Sequence, residues 1–574
     1  MRIGGRWYIA TVLVCTAVWQ TYAGGAEKSI ESKFYGEPVQ LRGKHIYFTS
    51  WKYVRQGNFA WRVEHDPGAT EAEKLQGAWL KGDSSKPARF ETTDMPRGIR
   101  LVAQKAEKVP FKPGQMAATM FEDGKYKAWY TVPPCTQPES LTNKDKMMPG
   151  HASHLAYAES KDAITWEKPN LGLFECAGNR NNNIVMRTDL DGSIRGIGGI
   201  VFLDPSSKEE RYKILYMGGI TDEEWAAFEK KYPGEADTMA RRPDVGGFRC
   251  VSGVFGAVSA DGIHWKLLPE PLMIQHADTV NTCYWDVDLK KYVAYVRAWQ
   301  VNERVPGLLP DNSDVWIGVG RRSIGRAVSD DFRHFTKAEV VVSTGADMPP
   351  SHVWYTNGKT TLPDCPDNHV MFPWLWELEN DGGSTWLLSS ADGWTWSRVP
   401  GGPVIEPGPL GGPDGAFVTC SGNLLEYPGD KWGMPFSGTP IPHKYPGRDI
   451  TQRKGLFPGV AGVAGLAMWP KGRLVALQCD DEGQFATVAV VPPGENIRLN
   501  ASARPTGYIK VAIRLFGSGD DLPGRSFEDT DRMIGDSLAM PVSWKGETAL
   551  KHGGKPVILR FQLKQAKLFG IEFY

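Results

Sequence analysis

The chain has no excess of charge of either sign: its 574 residues carry 66 Lys+Arg against 66 Asp+Glu. A nucleic-acid footprint needs a basic surplus, so polyanion binding is set aside as the main task. After residue 19, no apolar run approaches the length needed to cross roughly 30 Å of hydrocarbon as a helix. Cysteine is sparse, 8 in all, and no two stand as CxxC, which argues against a zinc cluster and a full disulfide framework. EF-hand and zinc-ligand spacings are also missing, so no metal or other cofactor is expected. What the sequence has instead is turn formers and aromatics, with Gly 64, Pro 41 and Trp 21. That mixture suits many short strands joined by tight turns, and 41% hydrophobic residues exclude disorder.

Arg2 and Arg6 precede an apolar run from Trp7 to Trp19, and Thr21-Tyr22-Ala23 offers a small residue at the cut. Residues 1–23 therefore read as a signal peptide, and the mature chain as secreted or periplasmic with no membrane insertion. Cys15 leaves with the signal, and Val14 before it argues against a lipid anchor. The other seven cysteines (135, 176, 250, 283, 365, 420 and 479) are expected as buried single thiols.

A repeat runs through the middle of the chain. Ser160-Lys-Asp162-Ala-Ile-Thr-Trp166, Ser259-Ala-Asp261-Gly-Ile-His-Trp265, Ser329-Asp-Asp331-Phe-Arg-His-Phe335 and Ser390-Ala-Asp392-Gly-Trp-Thr-Trp396 share the pattern S-x-D-x-x-x-aromatic. Each follows a short apolar strand, so the aspartates read as turn formers that bind backbone amides. A second hairpin precedes the copies, as in Met120 to Tyr130, Phe202 to Tyr216 and Tyr284 to Arg297, and returns near Leu425 to Trp432 and Gly465 to Leu477. Five units of two hairpins predict an all-β fold, a five-bladed β-propeller. One insertion is helical: Thr221-Asp-Glu-Glu224 is a capping box, with Trp225, Phe228 and Tyr232 on one face before Pro233-Gly234. After Glu495, alternation at Ile509, Val511, Ile513, Leu515 and again at Val557, Leu559, Phe561, Leu563 predicts a C-terminal β-sandwich covering one propeller face. The expected domains are 24–98, an N-terminal segment packed on the propeller; 99–495, the propeller; and 496–574, the sandwich.

The runs Tyr157 to Pro169, Asn181 to Val185, Gly320 to Phe332 and Arg498 to Asn500, with the ending at Phe573, resemble the secreted bacterial invertase- and arabinanase-like five-bladed propeller hydrolases, the glycosyl hydrolase family 32/43-like group. The likeness spans most of 38–574. It implies export, a propeller and hydrolysis of a poly- or oligosaccharide. The chain departs from the invertase pattern W-M-N-D-P-N, which it lacks. Asp204, in Phe-Leu-Asp-Pro, has Leu203 where that superfamily has Arg, and it aligns with the turn residues Asp123 and Asp286. No acid precedes the first blade, where arabinanase-like enzymes place their base. The sialidase box, S-x-D-x-G-x-x-W, is one residue longer than the repeat here. A sialidase-like exo-hydrolase of an acidic sugar stays as an alternative, with Arg297, Arg321 and Arg322 as an anion clamp.

Propellers gather the starts of their inner strands around an axial pocket. The groups just before each unit are Lys112 and Gln115; Asp191 and Arg195; His276 and Asp278; Asp347, His352 and Tyr355; and Asp414. Glycoside hydrolysis takes two carboxyl groups, so Asp278 and Asp414 are the expected catalytic pair, with Asp347 as third member or substitute. Arg195, His276, His352, His443, Arg321 and Arg322 are expected sugar or anion contacts, and Trp354, Trp374 and Trp376 stacking platforms. The partner is a carbohydrate, not nucleic acid, and the oligomeric state is open. A propeller that binds glycan without cleaving it is the other class.

Overall fold

A computed structural model describes residues 36–62, 89–111, 113–114, 118–135, 153–189, 195–196, 199–237, 240, 251–300, 321–444 and 461–574. The expected signal peptide, Lys112, Gln115, Asp191 and the Arg195 side chain lie outside them.

The chain is all-β with a propeller arrangement. Four antiparallel sheets follow one another along the chain. The first joins Ala118–Glu122, Lys125–Val132, His154–Ser160 and Ile184–Met186. The second joins Arg195–Gly196, Phe202–Leu203, Tyr212–Ile220, Val251–Ser259 and Trp265–Leu267. The third joins Thr282–Asp286, Lys291–Gln300, Arg321–Ser329 and Glu339–Val342. The fourth joins Lys359–Leu362, Cys365–Met371, Leu388–Ser390 and Ser397–Arg398.

Five free-standing blades, as the repeat predicted, are not found; four are. The strands expected to make the fifth, Phe417–Cys420, Leu425–Tyr427, Lys431–Thr439 and Val463–Pro470, belong to an eight-stranded sheet. That sheet also takes in His352–Trp354, Trp374–Glu377, Gly382–Thr385 and, from far upstream, Glu107–Pro110. The cause is pairing across units, which no local pattern encodes: Gly383 pairs in parallel with Phe417, and Leu466 pairs with Val109.

The repeated motif does what its composition dictates. In all four copies the residue after the aspartate is left-handed, with φ of 61° at Ala163, 76° at Gly262, 57° at Phe332 and 72° at Gly393. The aspartate holds that turn by accepting two backbone N–H groups, as Asp392 does from Trp394 and Thr395, both at 2.8 Å. The closing indole donates back to the turn, Trp265 Nε1 to the Gly262 carbonyl at 2.9 Å. Tyrosines then stitch sheet to sheet. Tyr212 hydroxyl donates to Glu122, Tyr292 to Asp204, and Tyr126 to the Glu426 carbonyl at 3.1 Å. Near the strand starts, Asn357 Nδ2 donates to the Val280 carbonyl at 2.7 Å, Ile200 N to the Asn281 carbonyl at 3.1 Å, and Asn423 Nδ2 to the Thr119 carbonyl at 3.1 Å.

The helix forms as expected at Asp222–Lys231, with both halves of the Thr221–Glu224 capping box made and Phe228 buried. The C-terminal strands differ from expectation. They are hydrogen-bonded in one eight-stranded sheet around the long strands Ile497–Leu515 and Val557–Phe573, and the expected sandwich is not confirmed. Val475–Ala486 and the N-terminal strands Val39–Gln40, His45–Tyr47 and Arg100–Ala103 are part of it. The predicted alternation is nonetheless its core, since Ile509, Val511, Ile513, Leu559 and Phe561 are each 0% exposed. One cysteine expectation is corrected as well: Cys135 and Cys176, 41 residues apart, form a disulfide because strand pairing in the first sheet brings their loops together. Cys283, Cys365, Cys420 and Cys479 are buried free thiols, and Cys250 lies outside the described residues.

Candidate functional site

A constellation of charge forms where the segment leading into Thr282–Asp286 meets the next two strands. Asp278 lies on that segment, its side chain 10% exposed. Arg297, on Lys291–Gln300, donates to its carboxylate, and Arg322, on Arg321–Ser329, approaches to 3.5 Å. Pairing of Trp299 with Arg322 brings the two arginine strands side by side. His276 Nε2 stands 3.5 Å from the same carboxylate, and its Nδ1 is 2.9 Å from the Ser252 hydroxyl. Burial works to raise the Asp278 pKa, but Arg297 first, then His276 and Arg322, outweigh it and hold the carboxyl well below its usual range. Burial and the like charge of Arg297 bring Arg322 down to about 10.

Arg322 connects this charge to an aromatic wall. Its guanidinium lies 3.1 Å from the Tyr355 ring centroid, its Nε donates to the Tyr355 carbonyl at 3.1 Å, and its Nη2 to Thr279 at 2.9 Å. Tyr355 packs on Trp374 (4.7 Å between centroids), Trp376 (5.6 Å) and His443 (4.7 Å), and Trp374 stacks on Phe417 at 4.4 Å. Tyr355, Phe417 and His443 are half-buried, whereas Trp374 is 1% and Trp376 6% exposed. The indoles of Trp374 and Trp376, expected as platforms, are thus the buried backing of the wall, and Tyr355, Phe417 and His443 are its half-buried rings.

The other expected site residues have contacts of their own. Asp414, buried, lies three residues before Phe417 and pairs with Lys108 of Glu107–Pro110. Asp347 is exposed and pairs with Arg398 at 2.7 Å on the last strand of the fourth sheet. No hydrogen bond or ion pair among the described residues joins Asp278, Asp414 and Asp347; each has its own cation. His352 faces Glu379 at 3.6 Å, and Arg321 is exposed. Trp354, 2% exposed, sits in the core between the third and fourth sheets with Tyr295 and Leu375, so it presents no face for stacking. Asp204 is 0% exposed and locked to Lys213 at 2.8 Å, which makes it a structural turn residue. Sequence reasoning missed Thr279, Phe417 and Ser252; strand parity was the available signal for Phe417 and Ser252, yet parity does not say which neighbouring sheet a residue meets, and Thr279 lies on the segment before Thr282–Asp286, where parity gives no signal. Among the described residues no cluster of three His, Cys, Asp or Glu is placed to hold a metal ion, and no helix is long and apolar enough to cross a membrane.

No family model matches the chain, and no curated protein matches it. Solved structures do. A Bombyx mori GH32 β-fructofuranosidase is 11% identical, covering 84% of this chain and 94% of its own, with a TM-score of 0.36. An exo-inulinase from Aspergillus awamori is 11% identical over 82% of this chain and 98% of its own, with a TM-score of 0.35. An N-acetylgalactosamine deacetylase from F. plautii, solved with blood group B trisaccharide, is 13% identical over 72% and 95%, with a TM-score of 0.33.

Proposed function

We propose that this chain is an exported, glycoside hydrolase-like propeller that acts on a poly- or oligosaccharide at the Asp278 cluster. The observation that carries this reading is the juxtaposition of a carboxylate fixed between Arg297 and Arg322 with a partly open aromatic wall. Sugars present apolar ring faces and hydroxyl edges, and such a site answers both. Asp278 stays ionised, so its role is that of nucleophile, base or charge stabiliser and not proton donor. Asp414, on the segment entering the other flank of the wall, is the second carboxyl. The disulfide fits the oxidising compartment that the signal peptide implies. In this reading the strands from Phe417 to Pro470, closed by Glu107–Pro110, act as the fifth blade.

The test is release of reducing sugar from plant, algal and microbial glycans by the full mature chain beside Asp278→Asn and Asp414→Asn. Release abolished by both, with folding intact, supports the pair. Unchanged release in Asp278→Asn removes the site. A second reading, recognition of an acidic sugar without cleavage, is favoured by one feature: two arginines address a single carboxylate. Binding of uronate- or sialate-bearing oligosaccharides with no release from any glycan would establish it.

A further inference from the structure

We propose that the seam between the C-terminal sheet and the propeller holds a second site, separate from Asp278, that binds one neutral sugar unit through its hydroxyls. It rests on the reading of the chain as glycan-acting. Here a cavity of about 260 Å³ opens between His45–Tyr47, the two long C-terminal strands and the turns that carry Asp364, Asp430 and Lys471. Ligand pockets usually run about 300–1,000 Å³, so this one suits a single ring or a chain end.

Its walls are built rigidly. Glu572 receives Arg498 through Nε at 2.6 Å and Nη2 at 2.9 Å, and Lys44 at 2.6 Å. Asn500 ties the sheet to the propeller turn, donating to the Lys471 carbonyl at 2.7 Å and accepting from Arg473 Nε at 2.8 Å. His45 and Tyr47 stack at 5.4 Å with planes 15° apart. A Cβ at Gly472 would stand 2.7 Å from the Tyr47 ring and one at Gly570 2.8 Å, so both backbones close on that ring.

The charges in the lining balance: Lys44, Lys471 and Arg498 against Asp364, Asp430 and Glu572. A balanced lining has no net pull on an ion. Donors set beside acceptors instead match vicinal hydroxyls, each of which donates and accepts. Lys44 and Arg498 keep 57% and 38% of their side chains exposed, so their remaining N–H groups reach the opening.

The experiment titrates the full mature chain carrying Asp278→Asn with methyl glycosides of glucose, galactose, arabinose, fructose and rhamnose, and with galacturonate, by calorimetry. We expect one equivalent of a neutral glycoside to bind, and Ala539→Trp, which fills the mouth from an exposed position, to weaken it about tenfold or more. Glu572→Gln should do the same. Three results overturn the proposal: no binding left in Asp278→Asn although the wild type releases sugar, binding untouched by Ala539→Trp, or binding of galacturonate alone. The first leaves the Asp278 reading standing, so the two failures are told apart.

Discussion

Asp204, buried, and Asp278, half-buried, are both aspartates on the segments that lead into propeller strands, both have depressed pKa values, and they differ in what surrounds them. Asp204 is sealed, 0% exposed, with one lysine, the Tyr292 hydroxyl and Ser206 as partners. Its charge is met inside the protein by Lys213, which also approaches Glu210 at 3.6 Å. Asp278 meets two arginines and a histidine, keeps 10% of its side chain open, and adjoins rings that are only half covered. A buried carboxylate is therefore not a site in itself. A surplus of cation and an open face distinguish the group that can meet a ligand from the one that locks two sheets together.

The largest effect that would break this contrast is at Asp204. Asp204→Asn leaves Lys213 charged and buried, at a cost of about 3–5 kcal/mol in denaturant unfolding, without a specific effect on glycan turnover in whatever protein folds. Asp278→Asn should show a fall in glycan release of about a hundredfold or more in protein that folds, with a stability loss of its own because Arg297 and Arg322 are buried. A loss of glycan release in folded Asp204→Asn as large as that in Asp278→Asn would erase the distinction. Acid unfolding sharpens it further. Both carboxyls have folded pKa values below their unfolded ones, so each adds stability fully present above about pH 4 that fades as pH falls toward the folded value. Each substitution should flatten the stability profile below pH 4, by no more than about 1.4 kcal/mol per pH unit. The smallest effect belongs to Asp347→Asn, whose exposed pair with Arg398 predicts a stability change within about 0.5 kcal/mol and unchanged glycan release.

The sequence by itself determined the turns and the alternation. S-x-D-x-x-x-aromatic specifies its own left-handed residue, its own carboxylate-to-amide bonds and, in the three copies that end in Trp, its own indole cap, all within seven residues, so the four motif aspartates were legible as structural. The capping box at Thr221 and the buried parity of Ile509 to Ile513 were legible for the same reason, since each rests on contacts a few residues apart. Asp278 was reachable through its position in the repeat, and Arg322 through its basic pair with Arg321.

Only the tertiary structure decided which segments meet. Leu466 pairs with Val109 across more than three hundred residues, and Gly383 with Phe417, so the fifth unit merged into a larger sheet. Trp354 and Asp347 are of the residue types that a sugar site uses, but one is core and the other surface. The physical reason is common to all of these. Turn chemistry and strand parity are local, whereas burial, ion partners and sheet edges depend on chain segments whose meeting is set by the packing of the whole fold.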